Sequence, residues 1–232
     1  MEKKYQHLFF DLDRTLWDFE ANSLITLQEI FINRGLEELG IPNFNTFLDY
    51  YKTYNHHLWD LYKLGKIEKD HLSVERFHGS LLHFHVNDRH LASIIADDYI
   101  TISPTKTKLF PDTKMVLKKL SERYSLHIIT NGFNEVQFIK LKNSGLDSFF
   151  QEVITSEMIG AQKPNPKIFE YALQQAHAQA NESVMIGDDQ DGDIIGAQNA
   201  GIEQVFVNYS SQKLLCQPTW HIKSLKELLQ IF

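Results

Sequence analysis

Residues 8–16 read Leu-Phe-Phe-Asp-Leu-Asp-Arg-Thr-Leu, an apolar run that stops at two aspartates separated by one leucine. A buried strand explains the run. Its carboxyl end explains the acids, because groups there leave the core and face a crevice. The strand is read as His7 to Phe10. Similar short runs recur at Leu126 to Thr130, Glu152 to Thr155, Val184 to Ile186 and Gln204 to Val207, each too short for a helix and rich in branched or aromatic residues. Amphipathic segments separate them: Asp112 to Tyr124, Phe133 to Ser144 closed by Gly145, Pro166 to Gln179, and Asp193 to Ala200 closed by Gly201. Strand and helix in alternation predict an α/β fold, a doubly wound and mostly parallel Rossmann-like sheet.

The alternation breaks between Trp17 and about Thr101. That stretch carries only helical periodicities, such as Leu24, Leu27, Ile30, Phe31 and Phe44, Phe47, Tyr51, Tyr54, Leu58. It reads as an all-helical insert after the first strand, with Ile102 to Pro111 as the return linker. The expected division is a core of residues 1–16 and 105–232 and a helical domain of residues 17–104.

Composition narrows the function. The 232 residues are 43% hydrophobic and carry a formal net charge of -7, which suits an ordinary globular protein and opposes a surface built to bind nucleic acid polymers. Cys216 is the single cysteine, so no intrachain disulfide forms. The first seven residues are followed by only three apolar residues before Asp11, and no long apolar stretch follows. The expectation is a cytoplasmic chain with no secretion signal and no membrane partner.

The strand ends carry the chemistry. His7 to Phe10 ends at Asp11-Leu12-Asp13, the second strand at Thr130-Asn131-Gly132, and the fourth at Gly187-Asp188-Asp189. In an open α/β sheet these groups converge on one crevice. Crowded carboxylates repel one another and call for a cation. Asp11, Asp13, Asp188, Asp189, Asp191 and Asp193 offer oxygen donors with no Cys or His in the same motifs, which favours a hard ion such as Mg²⁺. Acids around Mg²⁺, the Thr130 hydroxyl and Lys163 add up to phosphoryl chemistry. Singly, each motif is also readable as a solvated strand end, a turn or a helix start.

In order along the chain, Asp11-Leu12-Asp13-Arg14-Thr15, Thr130-Asn131-Gly132, Lys163-Pro164 and Gly187-Asp188-Asp189-Gln190-Asp191-Gly192-Asp193 resemble the motifs of the haloacid dehalogenase-like hydrolases, specifically the phosphatases with a helical cap inserted after the first motif. The resemblance implies roles. Asp11 would be the nucleophile that forms an aspartyl-phosphate, and Asp13 the acid for the leaving oxygen and then the base for water. Mg²⁺ would be held by the Asp11 carboxylate, the Asp13 backbone carbonyl and Asp188, with Thr15 and Asp193 behind them. Thr130, Asn131, Gly132 and Lys163 would bind the phosphate. Asp13 favours ester cleavage over dehalogenation, since a departing halide needs no proton. Asp189 and Asp191 read as loop residues, and Arg14 carries no assigned chemistry.

Within that family, Trp17-Asp18-Phe19, the stretch from Gly187-Asp188-Asp189 to Asn199-Ala200-Gly201, and Pro218-Thr219-Trp220 are similar to the branch of pyrimidine nucleoside 5′-monophosphatases. The expected substrate is therefore a small phosphate ester, a nucleoside 5′-monophosphate. A sugar-phosphate or phosphoglycolate-type phosphatase and a phosphomutase share the motifs. The aromatic residues of the insert (Phe44, Phe47, Tyr50, Tyr51, Tyr54, Trp59 and Tyr62) suit stacking on a base, but helical spacing makes most of them core. His71, His78, His83, His85 and His90 read as surface residues. A phosphorylated receiver module has a similar acidic pair, but neither an acid at the position of Asp13 nor a long helical insert.

Overall fold

The computed structural model describes residues 4–232; the first three residues of the stretch examined for a secretion signal lie outside them. The chain divides into two compact units, one formed by the chain up to Glu20 together with Thr107–Phe232, the other by Ala21–Lys106.

In the first unit, β1 (His7–Phe10) is followed, beyond the insert, by α5 (Thr113–Ser121), β2 (Ser125–Thr130), α6 (Asn134–Ser144), β3 (Glu152–Thr155), α7 (Ser156–Ile159), α8 (Pro166–Gln175), β4 (Ser183–Gly187), α9 (Gly196–Asn199), β5 (Glu203–Val207), β6 (Trp220–Ile222) and α10 (Leu228–Ile231). All strands pair in parallel in the order β3-β2-β1-β4-β5-β6, with Phe9 opposite His127 on one side and Met185 on the other. The order reverses direction between β1 and β4. That places a crevice beyond the carboxyl ends of these strands.

Period-two alternation fills both faces of the sheet. Leu8, Phe10, Ile128 and Ile186 share one buried cluster, while Phe9, Ile129 and Met185 pack with Ile168 and Phe169 in another. Strands buried on both faces are mostly apolar, which is why the sequence shows short greasy runs, with His127 a buried exception in β2. Each such side chain contributes about 1.5–3 kcal/mol through burial. Trp17, at the expected start of the insert, is fully buried in this unit, and its bridge to Leu109 ties the return linker down. The strand β6 was not among the expected runs. Three residues carry no periodicity of their own, and pairing with β5 defines them.

The second unit consists of helices. The helix α1 (Phe19–Asn33) begins just before the unit boundary, and α2 (Phe44–Lys63), α3 (Lys69–His83) and α4 (Arg89–Ile102) follow. Side-chain oxygens of Asn43 and Asp88 accept the backbone N–H groups of Thr46 and Leu91, capping α2 and α4. Leu27, Ile30, Phe31, Phe47, Tyr51 and Phe77 form the core. Leu24, expected on that face, is 39% exposed. Among the aromatics of α2, Phe47 and Tyr51 reach the core, whereas Phe44, Tyr50, Tyr54, Trp59 and Tyr62 are half-buried. His78 is half-buried beside Glu75, and the exposed His83 stacks on Tyr50 with ring centroids 3.7 Å apart. No helix among the described residues is long and apolar enough to cross a membrane.

Candidate active site

The β1 backbone continues its pairing one step past the strand, Asp11 N–H donating to Ile186 C=O at 2.9 Å, so the Asp11 side chain is carried to the crevice. The segment after it turns sharply, with Arg14 in the left-handed region at φ 66°. From β4 the chain runs into a wide helical turn, Gln190–Ile195, of the i→i+5 kind. This turn directs Asp193 back toward the strand ends. The carboxylates of Asp11, Asp188 and Asp193 each offer an oxygen, all within 4.8 Å of one another.

Lys163 holds this group together. Its ammonium, almost fully buried, donates to Asp11 Oδ1 at 2.6 Å, Asp193 Oδ1 at 2.6 Å and the Ile129 carbonyl at 2.8 Å. All of its donors are used. Asn131 fixes the lysine backbone from both sides: its Oδ1 accepts the Lys163 N–H at 2.8 Å, and its Nδ2 donates to the Lys163 carbonyl at 3.0 Å. Asp193 Oδ2 accepts the Asp189 N–H at 3.0 Å, and Thr15 donates to Asp188 Oδ1 at 2.9 Å. Thr130, buried at the end of β2, accepts the Gly132 N–H on its hydroxyl at 3.1 Å. Its own proton stays available to a ligand.

The charges are unevenly met, since Lys163 contacts two of the three carboxylates while Asp188 feels the pull of Arg14 instead. Burial pushes the Asp11 carboxyl well above the ordinary range; Lys163 pulls it back, and Asp193 and Asp188 push it up again. Burial, then Asp193, raises Asp188 to about 7, against the opposing pull of Thr15 and Arg14. Asp193 is raised as well, chiefly by burial. Burial opposes the charge on Lys163, yet the Asp11 and Asp193 carboxylates outweigh it and keep the lysine protonated. A second cation would relieve the excess, and buried oxygen donors are what a hard divalent ion requires.

Asp13 stands apart from this group. Its carboxylate faces α6, where Lys140 donates to Oδ1 at 2.6 Å and Oδ2 at 2.9 Å and Gln137 donates to Oδ2 at 2.8 Å. Asp189 serves its own loop, its Oδ1 accepting the Asp191 and Gly192 N–H groups at 3.1 Å, and Asp191 is exposed. Sequence reasoning missed Lys140 and Gln137. A signal was present: both fall on the buried stripe of α6 with Val136, Leu141 and Ser144, where a lysine needs a partner.

Comparison with known proteins identifies the family. The family model described as haloacid dehalogenase-like hydrolase matches residues 8–207. The pyrimidine 5′-nucleotidase PynA of Streptococcus pneumoniae is 34% identical, over 97% of this chain and 94% of its own. The pyrimidine 5′-nucleotidase YjjG of Escherichia coli is 32% identical, over 98% of each. Among solved structures, the HAD-hydrolase YfnB of Bacillus subtilis superposes with a TM-score of 0.88 at 30% identity, covering 99% of both chains; its crystal structure is described as bound to magnesium and as revealing interdomain movement.

Proposed function

The chain belongs to the haloacid dehalogenase-like hydrolases, and on that premise we propose that it is a Mg²⁺-dependent phosphatase acting on a nucleoside 5′-monophosphate through an aspartyl-phosphate intermediate. The observation that carries the reading is the meeting of Asp11, Asp188 and Asp193 within 4.8 Å of one another, with Lys163 paired to Asp11 and Asp193 but not to Asp188. Such a site suits an anionic substrate only with a divalent ion present.

Asp11 is the nucleophile. Its Oδ1 is engaged by Lys163, which leaves Oδ2 to attack phosphorus. The bond to Asp11 forms as the bond to the leaving oxygen breaks, and Asp13 donates its proton to that oxygen. Water then attacks the phosphorus and gives its proton to Asp13, releasing phosphate and the Asp11 carboxylate. The Thr130 hydroxyl and the backbone of Asn131 and Gly132 orient the phosphoryl oxygens, and Lys163, its donors held by Asp11, Asp193 and Ile129, offsets the added charge. The Asp11 and Asp188 carboxylates and the Asp13 backbone carbonyl would hold Mg²⁺, which supplies charge neutralisation between nucleophile and phosphate. Asp193 and Thr15 fix these ligands from behind. The substrate class draws on the nucleotidases PynA and YjjG.

The test is phosphate release from a panel of nucleoside monophosphates and sugar phosphates, with and without Mg²⁺. Asp11→Asn is expected to lower turnover by roughly four orders of magnitude or more. Mg²⁺-dependent turnover surviving in Asp11→Asn refutes the nucleophile. Preference for sugar phosphates refutes the nucleotidase reading alone.

A further inference from the structure

We infer that Lys140, assisted by Gln137, is a positioning residue that fixes the Asp13 carboxylate for proton transfer to the leaving oxygen. The inference rests on the phosphatase reading above. Two lysines divide the acids of this site: Lys163 binds Asp11 and Asp193, while Lys140 binds Asp13 alone. The division separates the nucleophile from the group that moves protons.

Burial shows that the second pair is built. The Lys140 side chain is 4% exposed and that of Asp13 19%. An ammonium so deeply covered needs an opposite charge, and both Asp13 oxygens provide it. The Trp17 ring confines Lys140 from another side, with Nζ 4.3 Å from the ring centroid. Gln137, itself buried, adds a further donor to Oδ2. Room for that amide comes from the second motif. A Cβ at Gly132 would collide with the Gln137 side chain, so the glycine of Thr-Asn-Gly is required by the group that holds Asp13. Lys140 holds Oδ1 at 2.6 Å and Gln137 holds Oδ2 at 2.8 Å; the proton given to the leaving oxygen is carried on Oδ2, and the ammonium on Oδ1 favours its release by stabilising the carboxylate left behind. A proton donor displaced by about 1 Å loses on the order of a hundredfold in rate, which sets the scale of what this grip protects.

The experiment compares kcat/KM, which reports the first irreversible step, for a nucleoside 5′-monophosphate and for p-nitrophenyl phosphate, whose leaving group departs without a proton. Lys140→Met is expected to lose about a hundredfold on the nucleotide and less than about threefold on p-nitrophenyl phosphate. Lys140→Arg should restore most of the loss. In an Asp13→Asn background, Lys140→Met should cost nothing further, because a residue acting through Asp13 has nothing left to position. Equal losses on both substrates, additivity with Asp13→Asn, or an unchanged nucleotide rate overturns the inference. Should Lys140→Met not fold, Gln137→Met must show the same substrate split at smaller size, and its absence overturns the inference equally. Wild-type failure on both substrates sinks the phosphatase reading too. Wild-type turnover abolished by Asp11→Asn, together with equal losses in Lys140→Met, sinks only the role of Lys140.

Discussion

The two units bury charge differently. In the sheet unit, Lys163 meets Asp11 and Asp193 at 2.6 Å and Lys140 meets Asp13 at 2.6 Å, so each buried ammonium faces carboxylates. In the helical unit, Arg76 is 3% exposed but faces rings: its guanidinium carbon lies 4.5 Å from the Tyr99 ring centroid and 5.0 Å from that of Phe77. Its Nε donates to the Ser73 carbonyl at 3.3 Å, and its Nη2 has no hydrogen-bond partner among the described residues. One unit concentrates opposite charges at strand ends and the other encloses a lone cation in aromatic packing. Concentrated, mutually dependent charge is what the proposed phosphoryl chemistry uses, and the enclosed arginine offers none of it.

Breaking the first arrangement should cost most. In metal-free buffer, Lys163→Met leaves Asp11 and Asp193 buried without their cation, and urea denaturation should show a loss of about 3–5 kcal/mol. A loss below about 1 kcal/mol means that the ion pairs are not what closes the strand ends.

A smaller effect comes from the buried imidazole of the sheet. His127 Nε2 lies 3.1 Å from His7 Nδ1, and its ring stacks on Phe9. Burial, and then His7, lowers its pKa from 6.5 to about 4. Between these values the unfolded chain takes up a proton that the folded ring refuses. Stability therefore falls as pH drops from 6.5 toward 4, by up to about 3 kcal/mol from this residue. Stability measured against pH for His127→Leu should lack that component, and a profile parallel to wild type contradicts it.

The smallest change is expected in the helical unit. Arg76→Met removes a buried charge with no carboxylate among the described residues and loses only ring contacts and one long hydrogen bond. Stability should move by less than about 1 kcal/mol in either direction. A loss of several kcal/mol would erase the contrast between the units.

Much of the site was readable before any coordinates. The apolar run into Asp11-Leu12-Asp13, Thr130-Asn131-Gly132 and Gly187-Asp188-Asp189 marked the carboxyl ends of β1, β2 and β4, which neighbour one another in the sheet. The helical insert showed in the period of Leu27, Ile30 and Phe31. Other features were hidden. The three-residue β6 has no pattern of its own, and Leu24 shares the spacing of its buried neighbours but not their burial. Periodicity names a face and not how much of it a neighbour covers.

By itself the sequence determined the alternation of strands and helices and the residue types at the strand ends, because side-chain period and local chemistry are properties of adjacent residues. Tertiary structure alone decided which acid goes with which lysine. Asp13 and Lys140 lie 127 positions apart, and Asp11 and Lys163 152. Local sequence marks Lys163 by the proline after it, but neither lysine's neighbours name its carboxylate. Only the order in which the strands pair and the face that α6 turns inward bring each ammonium to its carboxylate, and charge at contact distance in a dry crevice then fixes the pairs.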